Sequence, residues 1–150
     1  VAGDLIARGA RRDEIVARLY KTRSVETLRL WGRALARLKS DPKAKMVWTL
    51  LTRQDFTNAG TDETALENIV EELLMSAPDA NVAAIFYEHP DKMICVKLHA
   101  RRPHDALHLG APFRAAGTRE EALLRLREND IVKAEKKVIT HIKDQLTTHA

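Results

Sequence analysis

Residues 96–117 read VKLHARRPHDALHLGAPFRAAG, gathering Lys97, Arg101, Arg102 and Arg114 with His99, His104 and His108 around one carboxylate, Asp105. Guanidinium groups meet phosphate oxygens in a planar fork, and small residues let main-chain amides come close to an anion. A strand running into a cationic loop and then the turn Ala115-Ala116-Gly117 therefore suits the gripping of a phosphate. The same residues serve equally well as a solvated, charged loop without a ligand.

Other chemistries find less support. His104 and His108 stand four residues apart, a spacing that suits two zinc ligands on one helix face if a third converges. Asp105 falls on a different face, and neither HExxH nor CxxC occurs. No GxSxG elbow, Walker loop or GxGxxG fingerprint is present. Among 21 acidic residues nothing singles out a catalytic carboxylate pair. His89, beside Pro90, reads as a turn residue, and His141 and His149 as surface residues. Cys95 is the single cysteine, so an internal disulfide is impossible; its apolar surroundings suit a buried thiol in a reducing cytoplasm.

Composition bounds the elements that must position these groups. At 150 residues the chain has a typical domain length, and 45% hydrophobic with 31% charged residues marks it as globular. A net charge of +4 leans mildly toward anionic partners. No apolar run approaches the roughly 18 residues of a membrane-spanning helix, and no signal-peptide pattern opens the sequence. The chain starts with Val1, and Ala2-Gly3-Asp4-Leu5-Ile6 reads like a helix interior. The expectation is a C-terminal piece of something longer, or a start codon read literally.

The first forty residues read as helical. Leu5-Ile6 lead to a stop at Gly9, and Ile15, Val16, Leu19 and Tyr20 share a face of a second helix. Ser24 caps a third, whose stripe is Val25, Leu28, Trp31, Leu35 and Leu38, with Arg29, Arg33, Arg37 and Lys39 on a solvated face. Asp41-Pro42-Lys43 breaks the pattern, dividing a helical arm over residues 1–40 from an α/β domain over 41–150. The spacing predicts a strand over 46–52, a helix over 61–75, a hairpin of strands over 81–87 and 93–98, and a short helix from Pro103 to Leu109. Residues 119–127 fit a helix start or an edge strand, with the alternation of Ala122, Leu124 and Leu126 favouring the strand. Asp130 caps a final helix with Ile131, Ala134, Val138, Ile142 and Leu146 inward. The fold class is α/β: a mixed β-sheet packed by helices and preceded by a helical N-terminal arm.

Several segments, taken in order, carry a family resemblance. EIVARLYKTRSVETLRLWGRALARL (14–38), MVWTLLTRQDF (46–56), NVAAIFYEHPDKMICVKLHAR (81–101) and the closing RAAG resemble the C-terminal part of DHH-family phosphoesterases. The nearest subgroup is the nanoRNase and pAp-phosphatase type, with the RecJ exonucleases more distant. The resemblance implies two parts. An N-terminal part holds manganese or magnesium through Asp and His ligands, including an Asp-His-His triplet, and this chain does not contain it. The C-terminal part, which this chain resembles, contacts substrate through an arginine at a strand end and a glycine-rich loop with a histidine before an Ala-Ala-Gly turn. Two departures stand out. Lys97-Leu98-His99-Ala100 replaces Ser-Leu-Arg-Ser, with arginine displaced to Arg101 and Arg102. Leu109-Gly110-Ala111-Pro112-Phe113 replaces Gly-Gly-Gly-His before Arg114-Ala115-Ala116-Gly117.

The resemblance therefore implies a substrate-binding portion of a metal-dependent phosphoesterase for short oligonucleotides or nucleotide phosphates. Arg101, Arg102 and Arg114 are expected to clamp phosphates, His99 or His104 to add a hydrogen bond, and Gly117 to close the turn. Manganese or magnesium belongs to the catalytic part alone, and no cofactor is expected in this chain. The implied partners are short single-stranded RNA or DNA, or a nucleotide phosphate, together with a DHH catalytic domain upstream or on another chain. Two alternatives stay open: a non-catalytic RNA- or nucleotide-binding module, and a structural or assembly domain that self-associates through the Leu28, Trp31, Leu35 and Leu38 stripe.

Overall fold

A computed structural model describes residues 24–67 and 69–148. The helices expected around Leu5 to Gly9 and Ile15 to Tyr20, and His149, lie outside the described residues. Helix α1 (Val25–Ala36) begins as expected: the Ser24 hydroxyl accepts the Thr27 amide at 3.2 Å. Its buried face differs from the expected stripe. Leu30, Trp31 and Ala34 are buried, Leu28 and Leu35 partly so, and Val25 and Leu38 are 49% and 39% exposed. Trp31 sets this rotation, because its indole Nε1 donates to the Ala65 carbonyl at 2.7 Å across the core.

Asp41-Pro42-Lys43 lies in a hairpin turn. The Asp41 carboxylate accepts the amides of Lys43 and Ala44. Strand β1 (Lys39–Asp41) thereby turns back on β2 (Met46–Leu51), antiparallel with Lys39 opposite Trp48. After β2, Thr52 and Asp55 form a capping box that starts helix α2 (Arg53–Ala59), an element not foreseen from the sequence. Gly60, at φ 78°, ends it. The helix expected over 61–75 is divided: a 3₁₀ turn (Glu63–Leu66) is capped by Asp62, Glu67 leaves helical geometry at ψ 127°, and α3 (Ile69–Ser76) follows.

Strand β3 (Val82–Glu88) then lies parallel to β2, and β4 (Ile94–Ala100) pairs back antiparallel, closing the expected hairpin. Helix α4 (Ala106–Gly110), a 3₁₀ turn (Ala111–Phe113), β5 (Ala116–Gly117), β6 (Glu121–Leu126) and α5 (Ile131–Thr148) complete the described chain. Residues 121–126 are a strand, in line with their alternation. The six strands form one mixed sheet in the order β1-β2-β3-β4-β6-β5. Helices cover both faces, giving the expected α/β architecture.

Side-chain alternation sorts the core into two layers. Val82, Ala84 and Phe86 of β3 with Val96 and Leu98 of β4 meet α4 and α5 on one face. Ala83, Ile85 and Tyr87 of β3 meet α1, α2 and α3 on the other. The interior of β3 is buried on both sides, which is why NVAAIFY reads as an unbroken apolar run. Among the described residues no helix is long and apolar enough to cross a membrane.

Candidate functional site

The end of β4 and the tip of the β5–β6 hairpin come together at one edge of the sheet. Gly117 makes the hairpin possible. Its φ is 143°, and a Cβ there would sit 2.3 Å from the Glu121 carbonyl oxygen. The Thr118 amide donates to Glu121 O at 2.7 Å, and Thr118 Oγ1 accepts the Glu121 amide at 3.1 Å, so the tip is a tight turn. Two main-chain bonds pin loop 101–105 against this tip: Ala100 N to Glu120 O at 2.9 Å and Ala106 N to Arg119 O at 2.6 Å. Between loop and tip lies an open depression lined by Arg102, His104, Thr118, Arg119 and Glu120.

Asp105, the carboxylate at the centre of the basic run, has a structural task. It caps α4, accepting the amides of Leu107 at 3.0 Å and His108 at 3.3 Å, and stands 3.8 Å from Arg119 Nε. Helix α4 thus begins at Ala106 and not at Pro103, whose peptide bond to Arg102 is cis. His104 consequently precedes the helix while His108 lies within it, so the pair shares no helical face. Among the described residues no three His, Cys, Asp or Glu side chains converge where they could hold a metal ion. The described residues thus offer no cradle for manganese or magnesium.

The six residues expected from the sequence are dispersed. Arg102 and His104 line the depression, and Gly117 shapes the hairpin beside it. Arg101 is engaged elsewhere: its Nη1 donates to the carbonyls of Pro78 at 2.9 Å and Ala80 at 3.0 Å, and its Nη2 to Leu74 O in the last turn of α3. His99 is half-buried on the opposite sheet face, which it shares with Cys95, paired in register with Glu121. Arg114 is exposed in a left-handed conformation (φ 57°) after the 3₁₀ turn and is not part of the lining. Thr118, Arg119 and Glu120 were not anticipated. Their signal was Gly-Thr-Arg-Glu-Glu placed directly before an alternating strand, a turn with three charged residues.

A second polar cluster joins α1 to α2. Asp55 is only 2% exposed, yet Arg33 Nη1 reaches its Oδ1 at 3.2 Å, Arg37 Nη2 reaches Oδ1 at 2.9 Å, and Arg37 Nη1 bonds to Oδ2. Burial raises this carboxyl, but hydrogen bonds from Arg37 and then Thr52 outweigh it and hold the group below the usual carboxylate range. The arginine face of α1 is therefore not simply solvated. Cys95 and Tyr87 are buried beside one another, and burial pushes both groups up, leaving the thiol protonated near neutral pH.

The same architecture recurs in solved structures of other proteins. An exopolyphosphatase-related protein from Bacteroides fragilis shares it at a TM-score of 0.73 and 20% identity, over 90% of this chain and 40% of that one. A pGpG-specific phosphodiesterase from Vibrio cholerae shares it at a TM-score of 0.52 and 16% identity, over 75% of this chain and 37% of that one. The chain thus spans well under half the length of either structure. No protein-family model and no curated protein matches it.

Proposed function

We propose that this chain is the substrate-binding portion of a metal-dependent phosphoesterase acting on short oligonucleotides or nucleotide phosphates. The observation that carries the reading is the depression at the hairpin tip, where Arg102, Arg119 and His104 stand on a backbone fixed by main-chain bonds. Guanidinium groups present a planar fork of donors to phosphate oxygens, so two of them on a held backbone suit such a ligand. The likeness to proteins described as exopolyphosphatase-related and as a pGpG phosphodiesterase supports the same ligand class. Arg101 keeps its place in the site as a positioning residue, tying the start of the loop to the end of α3.

In this reading the ligand binds here and its phosphoester is broken by groups that this chain does not supply. The test uses the purified 150-residue chain with manganese and a 5′-phosphorylated short RNA. Binding without hydrolysis is expected. Turnover that scales with protein concentration and survives repurification contradicts it.

A further inference from the structure

The lining of the depression is not uniformly cationic. We infer that Glu120 makes this site selective, favouring nucleotides that carry hydrogen-bond donors over ligands built of phosphate alone; the inference rests on the depression being the phosphate site. Glu120 is exposed on the turn, and its main-chain carbonyl accepts the Ala100 amide at 2.9 Å. Its backbone is thereby fixed while its carboxylate makes no hydrogen bond or ion pair with any described residue. The neighbouring carboxylate, Asp105, is different: the amides of α4 and Arg119 already satisfy it.

The lining thus brings together two arginines, Arg119 being 3.8 Å from Asp105, and one carboxylate without a partner among the described residues. Inorganic polyphosphate presents only negative charge and acceptor oxygens on all sides. It meets Arg102 and Arg119 favourably and Glu120 unfavourably wherever it sits. A nucleotide presents a phosphate and, a few ångströms away, ribose hydroxyls and base N–H groups that donate to a carboxylate. Such a ligand satisfies both parts of the lining. Like-charge juxtaposition excludes a wrong ligand without strengthening the right one much.

The experiment titrates pGpG and inorganic tripolyphosphate against the wild-type chain, Glu120→Gln and Arg102→Ala/Arg119→Ala, by calorimetry at low salt. The wild type is expected to bind pGpG more tightly. Glu120→Gln should tighten tripolyphosphate by about threefold or more, an effect that fades as salt shortens the screening length. Its pGpG affinity should fall. An unchanged ratio in Glu120→Gln, with both ligands still lost in the double arginine variant, overturns the inference and leaves the phosphate site standing. Failure of the wild type to bind either ligand overturns both. An unchanged melting temperature for Glu120→Gln ties any shift in ratio to the depression.

Discussion

At the scale of single residues, the most consequential side chain outside the site is Asp55. A buried carboxylate held by two arginines and the Thr52 cap leaves uncompensated partners when removed. Breaking a buried pair costs roughly 3–5 kcal/mol; the arginines here are 43% exposed, so Asp55→Ala is expected to cost about 2–3 kcal/mol. The carboxyl's folded pKa is lowered, so its stabilisation is fully present above the unfolded value of about 3.9. It is lost as pH falls through the folded value. Urea midpoints measured at neutral pH and at about pH 3 should therefore converge between wild type and Asp55→Asn in acid. Gly117 is the second sensitive position. Gly117→Ala forces a Cβ against Glu121 O, and a loss of at least about 1–2 kcal/mol with weakened phosphate binding is expected from paired melting and titration. Residue types alone singled out Arg102 and His104, which line the depression, and Gly117, which shapes the hairpin beside it. They could not reveal that Arg101 serves carbonyls, because the difference from Arg102 is a direction set by where β4 ends.

At the scale of elements, the legible parts were those with a strong local period or cap. Ser24, the apolar run of β3 and the Ile131 to Leu146 stripe each carry their own signal, and each element stands where the pattern put it. Short elements fixed by tertiary partners were hidden. Strand β1 has three residues and an exposed face, and α2 depends on the Thr52–Asp55 box and the arginines of α1. The buried arc of α1 was misread for the same reason, since Trp31 turns it toward Ala65. Helix α1 belongs to the same core as the sheet: Leu30, Trp31 and Ala34 pack with Val47, Leu51 and Phe56. A chain beginning at residue 41 is expected to lose cooperative unfolding in calorimetry, because that face of β2 and α2 enters water. A sharp transition at the parent temperature contradicts this.

At the scale of the whole molecule, the described residues form one sheet with two helical layers and place a cationic depression at one edge, between loop 101–105 and the β5–β6 tip. The fold explains why the basic run does not act as a single cluster. Strand alternation sends His99 to one face while the chain continues past Ala100 toward α4 on the other. What remains at the edge is a smaller set, Arg102, His104 and Arg119, built from segments fifteen or so residues apart in sequence and joined only by folding. The phosphate binding proposed there is expected to weaken as salt rises.

The most direct test of this account is an amide chemical-shift titration of the isotope-labelled chain with pGpG. Saturable shifts concentrated at residues 102–106 and 117–121 are expected, and their loss in Arg102→Ala/Arg119→Ala. Shifts that cluster instead on the His99 face of β4, or that persist in the double variant, would contradict it.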